Sequence, residues 1–273
     1  MDPAQLAELE HENWLSYLSA SISFSPSGQL LHDRGIASLL SGTPMRFYNQ
    51  ILVEDETATA AAIRHGVELA RSRGDQFVVN LRQGIDDRFV PTVEALGLIR
   101  PDDALTPGMS LYPAGQRNRA AQPGGRFEIR RVTDEAGLTD HVRTVTAGFG
   151  AHESVAAAVM PNGLLARRES TVYVGYLDGM PVTSGLGWRS GRTIGVYNIS
   201  TVQGARRHGY GEAMTARVVA DGHAAGCDVA ALQASDMARP IYERLGFRVV
   251  VQYRGYVDAA TGAGGRSQTP GGG

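Results

Sequence analysis

Between Thr193 and Phe247 lie the residues whose types and spacing can do chemistry. A β-branched and aromatic run, TIGVYNISTV, leads into Arg206, Arg207, His208, Gly209, Tyr210 and Gly211, and a helical pattern, EAMTARVVADGHAA, follows and stops at Gly226. Strand, glycine loop and helix in that order suit an anion, because the first turn of a helix points unpaired N–H groups outward and carries the positive end of the dipole. Gly209 and Gly211 let the backbone approach a phosphate with no Cβ in the way, while Arg206 and Arg207, with His208 beside them, add positive charge. A pyrophosphate fits such a loop. A Gly-x-Gly pair alone also suits a plain turn between strand and helix. Two better-known phosphate loops are excluded: a P-loop needs Gly-Lys-Ser/Thr, and the dinucleotide fingerprint needs a third glycine where Met214 stands.

Downstream, VAALQAS (229–235) reads as a buried strand, a short helix opens near Pro240 and closes at Gly246, and RVVVQYRGYV (248–257) reads as a closing strand. Tyr242 sits on that helix, 246 − 242 = 4 residues before the glycine. A tyrosine there can pack on a helix face or donate a proton.

The strand, the Arg-x-x-Gly-x-Gly loop opening a helix, the next strand and the short helix ending Tyr-x-x-x-Gly-Phe resemble the GCN5-related N-acetyltransferase (GNAT) superfamily over Arg126 to Val257. The resemblance implies an α/β (α+β) GNAT fold, a central mixed, mostly antiparallel sheet flanked by helices, with acetyl-CoA as co-substrate. It implies that backbone groups of Thr201 and Val202 pair with the pantetheine arm, and that N–H groups from Arg206 through Arg207, His208, Gly209 and Tyr210 to Gly211 hold the pyrophosphate. It also places Tyr242 near the thioester sulfur and Ser235 at the cofactor arm. Tyrosine, protonated to about pH 10, suits the protonation of a thiolate of pKa about 8.5.

One position departs from the pattern. Relatives often carry a glutamate base six residues before the position of Thr201, and 201 − 6 = 195 is a glycine here. The segment after the first helix covers the acceptor site in the family, and His152, Glu153 and Met160 fall in it. A solvated loop accounts for the two polar residues, and Glu153 is the carboxylate to test first as a substitute base. Trp188 reads as core or acceptor-site wall.

The bulk numbers set outer limits. With 273 residues, 42% hydrophobic and 20% charged, the chain reads as an ordinary globular protein of one large or two small domains. A net charge of −2 argues against a nucleic-acid partner. No apolar leader and no apolar run of membrane-spanning length is found, so the expectation is a cytoplasmic protein with no membrane partner. Cys227 stands alone and reads as a small buried residue, and the histidines show no ligand spacing, so no metal is expected.

The N-terminal half repeats the order of the C-terminal half. Residues 4–20 carry Leu6, Leu9, Trp14, Tyr17 and Leu18 at helical spacing. QLLHD and IASLL are strand-like, RFYNQILV (46–53) is a clearer strand, a helix runs from about Thr57 to Arg73, FVVNLR (77–82) is a strand, and a helical segment spans about Asp87 to Leu96. Registering FYNQILV on VYNISTV matches Tyr48 with Tyr197, Asn49 with Asn198 and Val53 with Val202, and further along Gly74 with Gly226. From Val53 to Gly74 is 74 − 53 = 21 residues against 226 − 202 = 24, so the first copy is shorter where a phosphate loop belongs. Glu54, Asp55 and Glu56 stand there, and acids repel a pyrophosphate while suiting a helix start; Val93 takes the place of Tyr242.

These features give a degenerate GNAT-like domain over 1–112, a linker over 113–125, a catalytic GNAT domain over 126–258 and a disordered tail over 259–273. In the second domain, FEIRRV (127–132), a helix from Asp134 to about Phe149 and a meander with turns at Asp178-Gly179 and Ser190-Gly191 precede the loop. The expected activity is acetyl transfer from acetyl-CoA to a primary amine of a small molecule, by direct attack, in a monomer or homodimer. A non-catalytic acyl-CoA-binding module and a peptide or protein N-acetyltransferase are the alternatives.

Overall fold

The computed structural model describes residues 1–101, 105–115, 123–150 and 162–259. Two compact units emerge, each assembled from two stretches of chain. Among the described residues, the C-terminal unit joins Met1–Tyr17 to the chain from Gly108 to Val250, and the N-terminal unit joins Leu18–Pro107 to Val251 and the residues after it as far as Ala259. The unit boundary therefore falls inside three elements: α1 (Pro3–Ser23), β6 (Leu105–Leu111) and β12 (Arg248–Asp258).

In the N-terminal unit, β1 (Gln29–Asp33), β2 (Ile36–Leu40), β3 (Asn49–Val53), β4 (Val78–Arg82) and β12 hydrogen-bond in that order, with β5 (Leu98–Ile99) on the end of β12. Only β3 and β4 run parallel. The strand expected from Arg46 begins at Asn49, because Arg46–Tyr48 form a 3-10 turn that the buried Asn49 amide ties down through Thr43 O at 2.8 Å and Gln76 O at 2.9 Å. Helix α2 (Ala60–Arg73) starts at Thr59, whose hydroxyl accepts from Ala62 N–H, and ends at Gly74 with φ of 71°. Its apolar face, with Ile63 and Val67, packs on Ile51 and Val79, and α3 (Val90–Ala95) adds Val93.

In the C-terminal unit the order is β6, β11 (Val229–Gln233), β10 (Thr193–Thr201), β9 (Met180–Ser190), β8 (Ser170–Leu177) and β7 (Phe127–Arg131). Again one pair, β10 with β11, is parallel and the rest are antiparallel. Helix α4 (Glu135–Phe149) is capped by Asp134, while α5 (Tyr210–Ala224) follows β10 and α6 (Arg239–Arg244) follows β11. Gly222 lets α5 settle on the sheet, since a Cβ there would stand 2.6 Å from Ile194.

Strand β6 has no counterpart in the sequence reading. Pro107 and Gly108 break its pattern, yet pairing with β11 starts at Gly108, just past the proline that cannot donate. Each unit is thus a mixed, mostly antiparallel sheet flanked by helices. Among the described residues no helix is long and apolar enough to cross a membrane.

Strand pairing also moves the internal match. With Gly74 set against Gly226, Val79 answers to Ala231, and their parallel partners are Ile51 and Gly195. The sequence match had set Ile51 on Ser200, a displacement of 200 − 195 = 5 residues. The helix begins 60 − 51 = 9 residues after Ile51 but 210 − 195 = 15 after Gly195. The extra length is the distal half of β10 and the glycine loop.

Candidate active site

The site is built where β10 and β11 part. Their ladder runs only from Thr193 with Val229 to Gly195 with Ala231, while β10 continues to Thr201 and β11 turns to pair with β6. Between Tyr197 and Ser200 a bulge shifts the register of β10 on β9, with Asn198 at φ of 53°. Beyond the bulge, Val202 N–H donates to Val182 O of β9 at 3.0 Å. Antiparallel alternation therefore turns the backbone groups of Thr201 to the opposite edge, into the fork. Of the two strand residues named from the sequence, Thr201 turns its N–H there while its carbonyl accepts from Arg206 Nε at 3.3 Å, whereas the N–H of Val202 serves β9 and its carbonyl accepts from Ala205.

The glycine loop follows. Arg207 and Gly209 take positive φ, 66° and 82°, and Gly209 caps α5 without a side-chain bond. Among the described residues, the N–H groups of Arg207, His208, Gly209, Tyr210 and Gly211 find no acceptor. A row of unsatisfied donors at the positive end of a helix is an arrangement that an anion can satisfy. The side chains are spent on holding the loop. The Arg206 guanidinium donates to Gly148 O at 2.7 Å and Thr201 O at 3.3 Å, tying the end of α4 to the end of β10. His208 Nδ1 lies 2.8 Å from Arg206 O and 3.3 Å from Ala205 O, and since carbonyls only accept, it carries the proton. The Tyr210 ring packs against Phe127, at 4.6 Å, and against Val182 and Ala205. Glu212 in the first helical turn is offset by Arg244 of α6 at 2.8 Å.

Tyr242 is 6% exposed and shares a core cluster with Val196, Ile199, Leu232 and Ala238. Its hydroxyl has no hydrogen-bond partner among the described residues, and burial pushes the phenol well above its ordinary value. Ser235 Oγ accepts from Ala238 N–H at 3.3 Å, capping the turn into α6. Glu153, His152 and Met160, with the tail from residue 260, lie outside the described residues.

Gly195 is covered by α1. A Cβ at residue 195 would stand 2.0 Å from Asn13 Oδ1, and Asn13 Nδ2 donates to Trp188 O at 3.1 Å. The Tyr197 hydroxyl donates to Asn13 at 2.7 Å, and Tyr17 stacks on the Tyr197 ring at 3.9 Å and 6° between planes. Trp188 closes the group, donating to Ser16. Gln233 of β11 donates to the carboxylate of Glu10, which is fully buried. Sequence reasoning took α1 only as an apolar stripe and missed Glu10 and Asn13. Their spacing, 13 − 10 = 3, puts them on one helix face, but nothing local says which strand that face meets.

No known family's sequence model matches the chain, and no curated protein matches it. Solved structures do. A GCN5-related N-acetyltransferase from Kribbella flavida superposes with a TM-score of 0.66 at 16% identity, covering 93% of this chain and 95% of that one. A tandem GNAT protein from the clavulanic acid biosynthesis pathway gives 0.59 at 12% identity over 91% of this chain and 94% of its own. A GCN5-related N-acetyltransferase from Sphaerobacter thermophilus gives 0.56 at 17%, covering 84% of this chain and 75% of that one. Fork, bulge, glycine loop and whole-chain superposition together give the conclusion that this chain has the GCN5-related N-acetyltransferase fold in its tandem arrangement.

Proposed function

We propose that the C-terminal unit is an acetyl-CoA-dependent N-acetyltransferase acting on a primary amine of a small molecule. One observation carries the reading: the unpaired N–H groups from Arg207 to Gly211 lie just beyond a strand whose free edge opens into the fork. A pyrophosphate fits the first feature and an amide-bearing pantetheine arm the second. Arg206 and Arg207, with His208 beside them, set the positive surroundings of the loop, while Gly209 and Gly211 keep its backbone approachable. Ser235 stands across the fork on the β11 side. Bound there, acetyl-CoA supplies the activated acetyl group.

The chain's own residues then do three things. Thr201 and the bulged backbone before it offer groups that orient the acetyl arm and hold charge developing on its carbonyl oxygen. Tyr242, kept protonated by burial, donates its proton to the leaving sulfur. Helix α1, laid across Gly195 and Tyr197, narrows the acceptor face, which suits a small amine better than a polypeptide. Glu153 remains a candidate base from the sequence.

Calorimetric titration with acetyl-CoA, followed by a thiol-release screen against primary amines, tests the reading. Binding with turnover on an amine is expected. Binding without release on any amine would transfer the reading to an acyl-CoA-binding module, and no binding would end both.

A further inference from the structure

We infer that Glu10, carried by α1, is the carboxylate that takes the acceptor's amine proton, in the place left by a strand with glycine at residue 195. The inference rests on the N-acetyltransferase reading. Asn13 occupies the space a side chain on residue 195 would fill, and a pair of bonds fixes it to Trp188 O at 3.1 Å and Thr193 O at 3.4 Å. One turn back on the same face of α1 stands Glu10. The amide of Gln233 donates to it from β11, two residues past Ala231, where the β10 ladder ends. From β10, Tyr197 lies near enough that the carboxylate's charge adds to burial in raising its phenol. Glu10 therefore sits between the two strands at the point where they separate.

A carboxylate withdrawn wholly from water is costly to keep. Here the cost has a use, because the fork is where the thioester of an arm paired along β10 would lie. Strand alternation sets Gly195 and Tyr197 toward α1, and Ile194 and Val196 toward the cluster that holds Tyr242. Base and acid thus approach the fork from opposite faces. The acceptor ammonium gives one proton to Glu10; the amine lone pair forms the C–N bond as the C–S bond breaks onto sulfur, which takes the Tyr242 proton. The acylated nitrogen then gives its second proton to the phenolate, and solvent removes the one held by Glu10.

Glu10→Gln is compared with the wild-type chain in three readouts. Acetyl-CoA affinity by calorimetry should stay within about twofold, while kcat on the amine found in the screen should fall roughly 100-fold. Most of that loss should return with an analogue of the same acceptor whose amine is less basic and enters neutral, which a merely structural role would not produce. In the protein alone, ultraviolet titration should show a buried tyrosine ionising at lower pH once the neighbouring charge is gone. Unchanged kcat, an equal loss on both amines, or an unmoved tyrosine titration would overturn the assignment. Should Glu10→Gln fail to fold, Glu10→Asp is read instead, with reduced kcat and unchanged affinity expected and full kcat overturning it. Wild-type chain that binds acetyl-CoA but acetylates no amine refutes the transferase reading, and this assignment with it.

Discussion

Two helix starts in this molecule differ in what their backbone donors meet. At the start of α2 the N–H of Ala62 goes to the Thr59 hydroxyl, that of Thr57 to the Asp55 carboxylate and that of Ala58 to Asp55 O. At the start of α5 the corresponding groups from Arg207 to Gly211 have no acceptor among the described residues. The strands before them differ in the same sense. β3 ends at Val53, one residue past its last pair with β4, whereas β10 runs 201 − 195 = 6 residues past its last pair with β11. One unit ends its strand at the ladder and spends Asp55 and Thr59 on the turn into its helix. The other leaves a free strand edge and a bare positive helix end, an arrangement with local cost unless a ligand satisfies it.

Swapping the chemistry of the two starts should break the comparison most strongly. Arg206→Glu with Gly209→Asp places acids where α2 has them and a Cβ at φ of 82°, and should weaken acetyl-CoA by about 4 kcal/mol, roughly 1,000-fold in Kd. An isotherm unchanged from wild type would reject the phosphate loop. Tyr242→Phe gives the C-terminal unit the apolar character that Val93 has in the other. It should lower kcat about 100-fold and leave acetyl-CoA affinity alone, and full kcat from pH 6 to 9, about the range in which thiols titrate, would remove Tyr242 as the acid.

A smaller effect distinguishes the units by acid. His141 of α4 is fully buried, its Nδ1 bonded to Tyr173 O at 3.1 Å and its Nε2 without a partner among the described residues, and burial lowers its pKa to about 4. A depressed histidine contributes stability that is present above its unfolded value of about 6.5 and lost as pH falls toward the folded one. Melting of the C-terminal unit should therefore lose roughly 2 kcal/mol between pH 6.5 and 4.5, and His141→Gln should flatten that dependence. Equal slopes in variant and wild type would contradict it. Smallest is the cap: Thr59→Ala should cost about 1 kcal/mol and leave acetyl-CoA affinity untouched.

Local chemistry made much of this legible. Gly74, Thr59 and Asp134 mark helix ends through caps that depend on a few neighbouring residues, and the Gly209 and Gly211 loop announces itself between a strand and a helix. Long-range placement was not legible. Asn13 meets Trp188 and Tyr197 across more than 170 residues, so the stripe of α1 told that it packs without telling on what. Strand β6 hid behind Pro107, and the tyrosine and asparagine shared by β10 and the chain entering β3 drew the two copies into the wrong register, because a bulged strand end has no counterpart to match.

Calorimetry with acetyl-CoA on the wild-type chain tests the central claim most directly, since it counts sites. The account predicts one site per chain, abolished by the Arg206→Glu and Gly209→Asp pair and indifferent to Thr59→Ala. Two sites, or a single site that survives the loop variant, would contradict it.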